Sequence, residues 1–159
     1  MHILTKIKHW QLFLSLFFVG LLPSLVVFEY GFEVQMTLFI ALYFLWMLSI
    51  CKLSMACSGE PKKGSIWFFY GCMFYVFGYS SFFLFVALRN PEIPQSLIIG
   101  PHLFGMACVF FCIGYTAWYL AKAARNGGVL SYFLSLWFVF IGVWYVQPKV
   151  NRLAKESNA

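Results

Sequence analysis

Four long apolar runs, and a fifth of similar character, follow one another along this chain of 159 residues. No polar stretch between them is long enough to fold into a soluble domain. Lipid offers nothing to hydrogen-bond an exposed peptide group, so an apolar run of about 18 residues or more is expected to cross as a helix. The expectation is therefore an all-α polytopic transmembrane helix bundle, a single membrane domain over residues 1–159. Its spans are predicted at about 10–28, 34–51, 66–88 and 97–121, with a fifth apolar helix at 129–146.

Composition agrees. Charged residues make up only 10% of the chain, against roughly 25% in soluble domains. Twenty Phe, nine Tyr and six Trp give the aromatic load of lipid-facing helices and interfacial belts. There is no Asp, and Glu29, Glu33, Glu60, Glu92 and Glu156 fall at the edges of the apolar runs or outside them. The net charge of +6 comes from Lys and Arg scattered singly or in pairs, which suits cytoplasmic loops and anionic lipid better than nucleic acid. Lys6 and Lys8 precede the first run, and no small-x-small cleavage site follows it, so it reads as an uncleaved signal anchor.

Charge also orients the spans. With the N-terminus in the cytoplasm, Lys6, Lys8, Lys52, Lys62, Lys63, Lys122 and Arg125 lie inside, and the loop between runs three and four holds only Arg89. The turn Glu29–Glu33 brings run two back antiparallel to run one. Run five conflicts with the pattern, because a crossing would carry Lys149, Arg152 and Lys155 outside. Gly142 and Pro148 would suit a re-entrant element instead, but an apolar run of this length favours a crossing.

Residues able to do chemistry are few. His102 follows Pro101 near the outer end of run four, and with Tyr79 and Ser80 it is the candidate polar set of a pore. At that depth, capping the backbone freed by Pro101 is the simpler role. Cys108 and Cys112 share a helix face, but His102 lies about 240° round the helix from Cys108 and no carboxylate completes a metal site. The five Cys have no disulfide framework and suit reduced packing positions. Two histidines for haem are lacking, since His2 and His9 precede the first run. No catalytic motif is present, so the chain is expected to be neither an enzyme nor a cofactor carrier.

Run four carries small residues at heptad spacing, Gly100, Ala107, Gly114 and Ala121, joined by Ala117 and Ala124. Such a seam lets helix backbones approach closely, within the chain or between copies. Gly71 and Gly78 in run three repeat the spacing, so runs three and four are expected to pack through it. Trp10, Trp67 and Trp118 would form an aromatic belt at the inner end.

From Pro101-His102-Leu103-Phe104 to Gly142-x-Trp144-x-x-Gln147-Pro148-x-x-Asn151, the last third resembles the C-terminal half of small, functionally uncharacterised bacterial polytopic inner-membrane proteins. The resemblance implies an inner-membrane setting and no particular activity.

The sequence thus points to a non-enzymatic membrane protein that assembles with itself or with a membrane partner. An oligomeric pore or small permease, and an immunity protein against a toxin or phage, are the alternatives. In the expected orientation, a membrane-impermeant thiol reagent leaves Cys57 unmodified in intact cells and labels it after permeabilisation. Labelling of intact cells would invert the topology.

Overall fold

The computed structural model describes residues 8–25, 31–58, 63–90, 92–125 and 127–156, and the described residues form helices and turns with no strand. The order is α1 (His9–Leu25), α2 (Gly31–Ser58), α3 (Lys63–Phe85), a 3-10 turn (Ala87–Arg89), α4 (Gln95–Ala124), α5 (Val129–Trp137) and α6 (Val139–Glu156). Three stretches, Gly31–Ser58, Ser65–Arg89 and Gln95–Ala124, are long and apolar enough to cross a membrane.

These three stretches pack antiparallel in sequence order around a buried core. Between α2 and α3, Arg89 reaches Glu33 at one end and the Lys52 ammonium lies over the Tyr70 ring at the other. Between α3 and α4, Tyr75 meets Pro101 while Phe68 meets Phe111 in an edge-to-face pair. Met47, Ile50, Phe69, Ile113 and Leu120 are nearly or wholly inaccessible at the centre of this packing. α1 lies along α2 and α6, with the Phe13 ring 5.7 Å from that of Trp144.

The helices outrun the apolar runs. α2 continues through Lys52 to Ser58, and α3 already begins at Lys63, so much of the expected polar loop Lys52–Ser65 is helical. Gly31, Phe32 and Glu33, expected in a turn, form the first turn of α2. The expected first span extends to Phe28, of which Val26 to Phe28 lie outside the described residues. α4 ends at Ala124 with Arg125 in the left-handed region (φ 54°), and Gly127 follows at φ 138° with the Tyr132 ring where a side chain would project.

The largest correction concerns the fifth apolar run. It is not one helix over 129–146. It breaks at Phe138 (φ −89°, ψ 82°) into α5, of 9 residues, and α6, of 18 residues, which passes through Pro148 to Glu156. The two arms fold back on each other as a hairpin. Ser131 Oγ reaches the Tyr145 hydroxyl at 3.3 Å, and the Lys149 ammonium sits over the Tyr132 and Tyr145 rings at 4.6 and 3.6 Å. Near the bend, the Phe110 ring of α4 stacks on Trp137 at 4.7 Å and on Phe133 at 6.1 Å. Phe110 stands about 21 Å along α4 from Ala124, so the tip reaches only the middle of the bundle. With 9 residues, about 14 Å, α5 cannot traverse a ~30 Å core.

Gly142 permits the bend. The carbonyl oxygen of Ser135 occupies the space a Cβ at Gly142 would take, and Trp46 Cη2 lies 3.4 Å from that point. Because the obstacle is backbone, a methyl group there must push the arms apart. Gly142→Ala should therefore lower the thermal stability of the detergent-solubilised protein, by about 1–3 kcal/mol. Gly100→Ala, where an added Cβ meets nothing within 4 Å, should be neutral or slightly stabilising.

Candidate functional site

A chain that bends within an apolar interior must satisfy the carbonyl groups released at the bend, and here α2 supplies the donors. Tyr43 and Trp46, three residues apart, project from neighbouring positions of α2 towards the hairpin. The Tyr43 hydroxyl donates to the Leu136 carbonyl in the last turn of α5, at 3.0 Å. The Trp46 indole N–H donates to Oε1 of Gln147 at 2.7 Å, and Gln147 Nε2 donates to Asn151 Oδ1 one turn on, at 3.0 Å. Trp46 and Gln147 are both 0% exposed. One arm is thus held through its terminal carbonyl and the other through a buried amide.

Every residue specified in the stretch Gly142-x-Trp144-x-x-Gln147-Pro148-x-x-Asn151 except Pro148 has a contact in this arrangement. Gly142 admits the opposite arm, Trp144 packs on Phe13 of α1, and Gln147 and Asn151 form the polar chain to Trp46. Sequence reading missed Tyr43, Trp46 and Gln147 as a set. A Gln closing an otherwise apolar run was the available signal, because such a group demands a partner at depth.

The candidate pore residues are only partly brought together. The Tyr79 hydroxyl lies 3.4 Å from His102 Nδ1 and 3.5 Å from the Ile98 carbonyl, and the His102 ring rests against Tyr79 and Phe83. His102 itself is exposed at the bundle surface, and Ser80 is half-buried on the neighbouring position of α3. The backbone around Pro101 is met by tyrosines rather than by His102, since Tyr75 donates to the Pro101 carbonyl at 2.9 Å.

The small-residue seam divides at the height of the hairpin. Ala117 is fully buried, Ala121 is half-buried, and a Cβ on Gly114 would make ordinary contact with Phe133 of α5 at 3.9 Å. Beyond the tip, Gly100 and Ala107 are exposed. The expected packing of α3 on α4 through Gly71 and Gly78 does not occur: both are exposed, and added Cβ atoms there meet nothing within 4 Å. Gly105 is the buried glycine on that side of α4, where a Cβ would make ordinary contact with the Tyr79 and Tyr75 rings at 3.5 and 3.7 Å. Phe111 is half-buried between Phe68 and Tyr115.

Cys51, Cys72, Cys108 and Cys112 are buried free thiols, while Cys57 is exposed. The Cys112 thiol points to the Phe69 carbonyl at 3.8 Å, a packing role. Among the described residues no group of three or more His, Cys, Asp or Glu is placed to hold a metal ion. The bundle does contain a carboxylate. Glu33 is buried in the first turn of α2, and its Oε1 accepts from Arg89 Nη2 at 2.6 Å and Nε at 2.8 Å, which joins that end of α2 to the turn after α3.

No family model matches the chain, and no curated protein or solved structure matches it significantly.

Gln147→Leu removes the acceptor of the buried Trp46 N–H, and Trp46→Phe removes the indole donor to Gln147 Oε1. Each should destabilise the protein by about 1–3 kcal/mol. The double variant should lose less than the sum, with a coupling of roughly 0.5–2 kcal/mol, as found for buried polar pairs in membranes. Additive losses in a thermal unfolding series would remove the pair as a clamp.

Proposed function

We propose that this chain is a non-enzymatic integral inner-membrane protein that works by helix–helix assembly, with a second copy or with another membrane protein. Its basic end faces the cytoplasm. α2, α3 and α4 are crossings, α1 is counted as a fourth, and the α5–α6 hairpin is re-entrant. Support for the orientation comes from charge. The hairpin returns Lys149, Arg152 and Lys155 to the end of the bundle that carries Lys52, Lys122 and Arg125, while Arg89 at the other end is paired with Glu33. Exposed Trp10, Trp67 and Trp118 ring the basic end as an interfacial belt would.

The observation that carries the assembly reading is the divided seam. Its inner part meets α5 at Gly114, where a Cβ would touch Phe133, and its outer part, Gly100 and Ala107, continues along the same face of α4 and is exposed. Small side chains facing lipid bury little area, but facing another helix they permit the close backbone contact that drives association in membranes.

Gly100→Leu and Ala107→Leu test this directly. Leu is a better helix former than Gly and close to Ala, so neither change should unfold α4. Light scattering and cross-linking in mild detergent should show a native assembly larger than one chain that the paired substitutions reduce to monomer, with helicity unchanged. A monomeric native protein, or an assembly indifferent to both substitutions, would remove self-association.

A further inference from the structure

A hydroxyl on a buried helix face commonly donates to the carbonyl one turn back. Ser49, Ser58, Ser81 and Ser135 do so, onto the carbonyls of Leu45, Ser54, Phe77 and Ser131 at 2.7–2.9 Å. Ser54 of α2 and Thr116 of α4 do not. Both are 0% exposed, and among the described residues neither hydroxyl has a hydrogen-bond partner. Burying a hydroxyl in that state costs more than an ordinary hydrogen bond contributes.

The two hydroxyls belong to one contact. Thr116 faces the Cys51 thiol across the α2–α4 interface, short of hydrogen-bond geometry. Cys51 also lies near Cys112, one turn before Thr116 on the same face of α4. Ser54 follows Cys51 by three residues, on the same face of α2 and about 4.5 Å further along. Because α2 and α4 run the same way, the step from Cys51 to Ser54 parallels the step from Cys112 to Thr116. Cys51, Cys112 and Ala117, each fully buried at this level, are small. Solvent is close at hand. Ala56, two residues beyond Ser54, and Ala124, about two turns beyond Thr116, line a cleft of about 680 Å³ whose other walls include Arg125, Arg152 and Glu156.

We propose that the Ser54 and Thr116 hydroxyls bind a water molecule between α2 and α4, beside the Cys51 thiol and supplied from this cleft. The chemistry selects the ligand. Each hydroxyl can both give and accept a proton, which matches a water's two donors and two acceptors, and two or more such partners are what a buried water needs. A metal ion is not favoured, since among the described residues no three His, Cys, Asp or Glu lie together. The site lies within one chain and is independent of the assembly surface on α4.

The test is a crystal structure of the full chain at a resolution that shows ordered water. Density is expected within about 2.5–3.0 Å of both Ser54 Oγ and Thr116 Oγ1. It should be lost in Thr116→Val, which keeps the shape of the side chain and removes the hydroxyl. In detergent, Thr116→Val and Ser54→Ala should each lower the midpoint of thermal unfolding by about 2–4 °C. The double variant should lose little more than either, because removing one hydroxyl already releases the water. Dry, unpaired hydroxyls give the opposite sign, since apolar groups of the same shape relieve their burial. A rise in either midpoint, additive losses, or native density that touches one hydroxyl or neither would overturn the proposal. So would a loss in Cys51→Ala equal to that in Thr116→Val without bridging density, which would assign the Thr116 hydroxyl to the thiol. If a variant fails to fold, the density of the native protein still decides.

Discussion

The break at Phe138 is sustained by α2, and the rest of the architecture follows from that support. A carbonyl left unpaired in hydrocarbon costs several kcal/mol, whereas a polar contact between membrane helices contributes on the order of 1 kcal/mol. This asymmetry matters more than the strength of either bond. Without the Tyr43 hydroxyl at Leu136 and the Trp46 indole at Gln147, the bend would leave unpaired groups in the core, and a continuous apolar helix would be the better arrangement. Gly142 supplies the remaining condition, room for one arm's backbone against the other.

From the bend comes the separation of charge. α2, α4 and α6 all end at one pole, where Ala56, Cys57, Ala124, Arg125, Arg152 and Glu156 surround an open cleft of about 680 Å³. The opposite pole holds the Glu33–Arg89 pair, whose charges offset each other, with exposed Glu92 in the turn just beyond it. Glu33 and Lys52 are 19 residues apart on one helix, about 28 Å, which matches the thickness of a hydrocarbon core. In the proposed orientation these two residues stand at the levels where α2 would enter and leave it.

What the sequence revealed and what it concealed divide along physical lines. The three central stretches were legible because length and apolarity suffice to specify a spanning helix. Their ends were not, since hydropathy reads the membrane boundary and not the helix terminus. Lys52–Ser58 is polar, yet it continues α2, packed through Leu53 and Met55. Glu33 looked like a loop residue because its partner, Arg89, is 56 positions away in the chain. The fifth run hid its bend because no Pro or Gly stands at Phe138. The main support lies outside the run, in Tyr43 and Trp46, and within it only Gly142, which suited a re-entrant element, records the bend. Tyr79 and His102 lie together, 3.4 Å apart, whereas the seam meets α5 only in part, because how far α5 covers α4 depends on the height of the bend.

A reason for bending rather than crossing appears once the charges are followed. The segment after the apolar run carries Lys149, Arg152 and Lys155 against Glu156, a net of +2. In the proposed orientation a crossing would move that charge outward against an inside-negative potential, at roughly 2.3 kcal/mol per charge per 100 mV, or about 4–5 kcal/mol. It would also separate Lys149 from the Tyr132 ring, a contact made only when the two arms lie antiparallel. The hairpin avoids both penalties, and its own cost, the released carbonyls and the tight approach at Gly142, is offset by two side chains of α2. The bend also limits how much of α4 is covered. An element tall enough to cover Gly100 and Ala107 would have to cross, so the exposed seam and the retained basic tail are consequences of one choice of height.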